Sequence, residues 1–161
     1  MRSPLHEIEN ELFSYHLWRT LFGMDPLSLT SSITVLLGTT VQIIQYLNEV
    51  KDASKEKRSL ASEAANLVGL LTELRYRAVE AEQTRDPWYT GIQVLGGENG
   101  PLEQLGNSLR ELAAKLIPLS GYRKAAKSLL WPFDKTEINN ILPRIERVKA
   151  LIGFALSGDQ L

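Results

Sequence analysis

The chain has 161 residues, 43% of them apolar and 23% charged, enough for one domain with a real hydrophobic core and room for four or five helices. With 18 Lys and Arg against 19 Asp and Glu, the net charge is −1, so the broad positive field of a nucleic-acid binder is missing. Cysteine is absent, which excludes disulfides, thiolate catalysis and cysteine-ligated zinc, and a cytoplasmic location is expected.

Residues 1–23 read as an N-terminal extension. Leu5, Ile8, Leu12 and Tyr15 line one side of a helix expected over about Pro4 to Phe22, which Gly23 ends. Glu7, Glu9 and Glu11 stand where a secretory signal carries basic residues, and no uninterrupted apolar run follows them.

Asp25 as N-cap and Pro26 in the first turn then open a helix that runs to about Asn48. No residue from Pro26 to Asn48 is charged. The length matches a bilayer, but 10 of the 23 residues are Ser, Thr, Gln or Asn, and such groups penalise insertion unless neighbouring helices supply hydrogen-bond partners. Leu29, Ile33, Leu36, Thr40, Ile43 or Ile44, and Leu47 step at three-then-four spacing, the mark of a buried stripe. Two readings follow: an amphipathic core helix, or a helix that rests in a bundle and enters a membrane when released.

The next helix spans about Ala53 to Arg85. Leu60, Ala64, Leu67, Leu71, Leu74 and Ala78 form its inner stripe, and Lys55, Lys57, Arg58, Glu63, Glu73, Arg77 and Glu80 solvate the other side. A Gly-rich stretch from Asp86 to Gly100 reads as an irregular hinge. Leu102, Leu105, Leu109, Leu112 and Leu116 make a further seam, stopped near Pro118.

A shorter helix is expected from about Ser120 to Leu130, broken by Trp131-Pro132-Phe133. Asp134 and Glu137 are spaced as a capping box for a last helix reaching Ser157, with Ile138, Ile141, Ile145, Val148, Ile152 and Ala155 inward. Pro143 lies inside it and predicts a kink, or a break into two shorter helices. Seams on several helices joined by modest loops give an all-α fold, an up-and-down helical bundle of four to five helices over residues 24–161.

No enzymatic chemistry is legible. GGENG lacks the Gly-Lys-Ser/Thr of a phosphate-binding loop, and His6 and His16 stand ten apart, which is not a metal-ligand spacing. Glu80 and Glu82 point to different sides of a solvated helix. No catalytic, cofactor-binding or metal-binding residue is therefore assigned. Arg123, Lys124 and Lys127 abut Trp131 and Phe133, within a region from 101 to 161 that carries 9 basic and 6 acidic residues. That cluster reads either as a solvated face beside a packed aromatic corner, or as a contact for an anionic membrane surface made by Arg123, Lys124, Lys127 and Trp131.

The stretch MDPLSLTSSITVLLGTTVQIIQYLNEVKDASKEKRSLASEAANLVGLLTEL resembles the start of the fungal N-terminal, HeLo-like family found ahead of NACHT-type NTPase and ankyrin or other repeat regions. The ending LLWPFDKTEINNILPRIERVKALIGFAL is similar to that family's closing pattern, a Trp-Pro-Phe turn leading into a long Ile/Leu-rich helix. Together they cover residues 24 to about 160, and the family's usual start falls at Met24.

The resemblance implies a non-enzymatic effector domain of a fungal NLR-like (STAND) protein. Such bundles oligomerise and attack the plasma membrane in regulated cell death, and their N-terminal helix inserts. Carried over, the inserting residues are Leu29, Ile33, Val35, Leu36, Leu37, Val41, Ile43 and Ile44. The implied partners are further copies of the chain, an attached NACHT or repeat region or a cognate receptor, and an anionic membrane reached from the cytoplasm. The other reading is an interaction and oligomerisation module that regulates an attached NTPase and never touches lipid.

Overall fold

The computed structural model describes residues 29–50, 54–116 and 131–158. Within them lie five α-helices: α1 (Leu29–Glu49), α2 (Lys55–Thr84), α3 (Pro87–Ile92), α4 (Pro101–Leu116) and α5 (Lys135–Ser157). A 3₁₀ turn, Gln93–Gly96, follows α3. The extension 1–23, the start of the uncharged helix at Asp25 and the expected helix over Ser120 to Leu130 lie outside the described residues.

The helices begin and end where their end groups find partners. Ser54 accepts the backbone N–H of Lys57 at 3.2 Å to start α2. The Lys57 ammonium donates to the Val50 carbonyl, placing a cation at the C-terminal end of α1. The capping box at α5 is real in both directions: Asp134 accepts from Glu137 N at 2.8 Å, and Glu137 accepts from Asp134 N at 2.9 Å. Phe133 and Ile138, both buried, occupy the two positions of a hydrophobic staple on that start.

The four long helices alternate in direction along the chain, with α1 against α2 and α4 against α5 as antiparallel pairs. The pairs join edge to edge through α1 with α4 and α2 with α5. Going around the bundle, the order is thus α1, α2, α5, α4, which puts α2 and α4 at opposite corners. Arg77, late in α2, reaches the Leu156 carbonyl, so the C-terminal ends of α2 and α5 share one end of the bundle.

That order explains residues 85–100. A chain leaving α2 for the diagonal corner must cross the end of the bundle, and the crossing is built rather than loose. Asp86 caps α3 by accepting from Trp88 N at 2.9 Å, with Pro87 in the first turn. Ile92 and Leu95 are 4% and 6% exposed, sealed into the core. The expected irregular hinge is therefore replaced by a short helix and a 3₁₀ turn. The true turn is confined to Gly97–Gly100, where Asn99 takes a positive φ of 55°. A side chain on Gly100 would meet three carbonyl oxygens within 2.7–3.0 Å, which is why glycine stands there.

The stripes read from the sequence are the core: Leu60, Leu67, Leu71 and Leu74 of α2, Leu102 to Leu116 of α4, and Ile138, Ile145, Val148 and Ile152 of α5 are all buried. On α5, Ala155 is half-buried and packs against that core. Pro143 does not divide α5, which is helical from Lys135 to Ser157. Pro143 and Asn139 are both exposed, so the carbonyl that loses its N–H partner faces water.

Candidate functional site

The sequence points to α1, and the structure places the whole described stretch of that helix in the bundle. Leu29, Ile33, Leu36, Ile43 and Leu47 are buried, Ile33, Leu36, Ile43 and Leu47 with no exposed area. Between Ile43 and Ile44 the inward position belongs to Ile43, and Ile44 is half-buried. Val35 and Leu37 are half-buried, and Val41 is 38% exposed. The eight residues named for insertion thus split into four that hold the bundle together, Leu29, Ile33, Leu36 and Ile43, and four on or near the surface.

The hydroxyls of α1 are largely spoken for. Thr34 donates to the Thr30 carbonyl at 2.8 Å, Thr39 to Val35 at 3.0 Å and Thr40 to Leu36 at 2.7 Å. Each is a bond back to the preceding turn, which lets a hydroxyl sit in an apolar setting without an outside partner. Thr40 is fully buried on these terms. Thr30 is the exception, with its Oγ1 buried and unpartnered, a cost of roughly 1–3 kcal/mol at the start of the helix.

The outward positions Thr34, Gly38, Val41, Gln42, Gln45 and Asn48 complete a face without charge. Elsewhere in the bundle, charge marks the surface and the helix contacts. Glu63 of α2 pairs with Lys149 of α5, both largely buried, and Glu111 of α4 pairs with Arg144 of α5 at 3.1 Å on the surface. Lys115, in the last turn of α4, pairs with Glu137 in the first turn of α5 and lies 5.5 Å from the Phe133 ring centre. Both charges suit the helix dipoles at those ends.

The end of α5 is held by side chains from other helices. The Trp88 indole Nε1 donates to the Ala155 carbonyl at 2.9 Å, and the Arg77 guanidinium donates to the Leu156 carbonyl. Arg77 also lies over the Trp88 ring, 4.5 Å from its centre. Neither tie was legible in the sequence, because the partners are 67 and 79 residues apart. Beside Trp88, burial and the negative charge of Glu82 raise the Tyr89 phenol above its ordinary value of 10.0.

Of the residues named for an anionic surface, Arg123, Lys124 and Lys127 lie outside the described residues. Trp131 is half-buried and meets Phe133 edge to face, 5.1 Å between ring centres, while Phe133 is 5% exposed. A packed corner is what these two rings make.

Among the described residues, no group of three His, Asp or Glu converges as metal ligands. A shallow groove of about 370 Å³ runs between α4 and α5, lined by Gln104, Asn107, Glu111, Arg144 and Arg147. No helix of the described residues is long and apolar enough to cross a membrane. No protein-family model matches the sequence, and neither a curated protein nor a solved structure is significantly similar to it.

Proposed function

We propose that this chain is a non-enzymatic signalling module of the HeLo-like kind: a helical bundle that self-associates and, once assembled, acts on a membrane through α1. The observation that carries this reading is the absence of charge from every turn of α1 between Leu29 and Asn48, solvent-facing positions included. A surface helix has no packing reason to avoid Lys and Glu, so an uncharged outer face is best understood as a face that leaves water at some stage.

The energetics make this a switch. Burial of Leu29, Ile33, Leu36, Ile43 and Leu47 holds α1 in the bundle at roughly 1.5–3 kcal/mol for each side chain, and lipid would repay a similar amount. The balance is therefore set by self-association and by partners such as an attached NACHT region or a cognate receptor. Gln42, Gln45 and Asn48 keep a single α1 from spanning alone, and several copies would turn those amides toward one another. In this reading the protein is cytoplasmic at rest, and Arg123, Lys124, Lys127 and Trp131 supply the first contact with anionic lipid.

A second reading, an interaction module that regulates an attached NTPase without lipid, is favoured by the lack of any described helix apolar enough to cross a membrane. Dye leakage from liposomes with and without anionic lipid separates the two. Substitutions must spare the buried stripe: Val41→Glu with Gln45→Glu charges only the outer face, whereas Leu36→Glu would unfold the bundle. Leakage that needs anionic lipid and disappears in the doubly charged variant supports the membrane reading. No leakage even from artificially oligomerised protein rejects it in favour of the interaction module.

A further inference from the structure

The segment that crosses the end of the bundle touches both the last turn of α5 and the first turn of α1. We propose that residues 85–100 act as a strap that couples these two helix ends, so that α1 leaves the bundle from its N-terminal end only when the strap lifts.

The strap is anchored on both sides by bonds that do not involve α1. On one side Trp88 Nε1 donates to the Ala155 carbonyl at 2.9 Å, beneath the Arg77 guanidinium that also holds Leu156. On the other, Asn99 N donates to Glu103 Oε2 at 2.6 Å and Gln104 Nε2 donates to the Asn99 carbonyl at 3.0 Å, tying the turn onto α4. Between the anchors, Ile92 and Leu95 are buried in the core, and Gly96 sits on α1 itself. A Cβ on Gly96 would come within 2.9 Å of Leu29 Cδ1.

Under the strap α1 carries a local weakness, the buried, unpartnered Thr30 hydroxyl next to Leu29. Contact of the strap with Leu29 opposes local opening there, and the strap is itself seated through Trp88 on the end of α5. The two seats thus share one element with two states, down or lifted, which is what coupling between distant ends requires. The coupling does not depend on whether α1 meets a membrane.

Amide hydrogen exchange on the full chain, read by NMR without lipid, tests it. Trp88→Phe removes the indole donor and keeps an aromatic ring in place. It should speed exchange of the Ile33 to Leu37 amides about fivefold, the weight of one neutral hydrogen bond, and leave the Leu105 to Leu112 amides of α4 unchanged. Acceleration confined to residues 85–96, or equal in every helix, would overturn the proposal. The reverse direction is independent: Gly96→Val, which presses on Leu29, should speed exchange of the Trp88 indole proton, since coupling is reciprocal. An unchanged indole rate would overturn it as well.

Discussion

α1 and α4 pack against each other and bury stripes of the same kind, yet they treat solvent in opposite ways. α4 opens with Glu103 in its first turn, closes with Lys115 in its last and carries Arg110 and Glu111 between them. α1 has no acid in its first turn and no base in its last, and until the exposed Glu49 at its end only hydroxyls, amides, Gly38 and Val41 face outward. The inner stripe of each helix is set by the core it must fill, so the two agree there. The outer face is under no such demand, and that freedom is why its composition carries information about function rather than fold.

The largest effects belong to the shared inner faces. Leu36→Ala in α1 and Leu109→Ala in α4 each empty a site with at most 1% exposure, and each should cost about 2–5 kcal/mol in denaturant unfolding. A much cheaper Leu36 variant would mean that α1 is not an equal member of the core. Next comes the start of α5, on which α4 leans through Lys115. Asp134→Ala removes the capping box and should cost about 1 kcal/mol.

Smaller again is Gly38→Ala on the outer face of α1, where an added Cβ meets nothing within 4 Å. It should stabilise the bundle by about 0.5–1 kcal/mol, because glycine in a helix interior carries an entropic cost. A loss of leakage or self-association in that more stable variant would sharpen the contrast, since it would separate the role of the face from its stability.

The smallest effect is a pH response near α3. Tyr89 has its pKa raised in the folded state by burial and by Glu82, so the neutral phenol is the form the fold favours. Its contribution is present in full below the unfolded value of about 10 and is lost as pH rises through the higher folded value. Tyr89→Phe should flatten the decline of thermal stability above pH 10 and leave stability at pH 7 nearly unchanged.

Much of the core was legible because helical periodicity is a local property. Leu60 to Ala78, Leu102 to Leu116 and Ile138 to Ile152 repeat every three or four residues, and each repeat is a buried row. Residues 85–100 were not read correctly, although part of the signal was present. Asp86 followed by Pro87 is the same start signal as Asp25 followed by Pro26, and Ile92 and Leu95 are three apart on one face. Four glycines from Gly91 to Gly100 hid them. At Pro143 the sequence leaves a kink and a break both open, and the continuous helix from Lys135 to Ser157 removes only the break; Pro143 and Asn139 are exposed, a setting that neighbours decide.

Composition and periodicity alone establish an all-α fold, where the long described helices lie, which stripe of each turns inward, and that one of them carries no charge from Leu29 to Asn48. Those properties follow from spacing and chemistry within a few turns of chain. Only the tertiary structure decided the order of helices around the bundle, the crossing from α2 to the diagonal corner, and the hold of Arg77 and Trp88 on the end of α5. Apolar stripes are interchangeable partners in burial, and contacts between residues 67 or 79 positions apart exist only once the stripes have chosen one another.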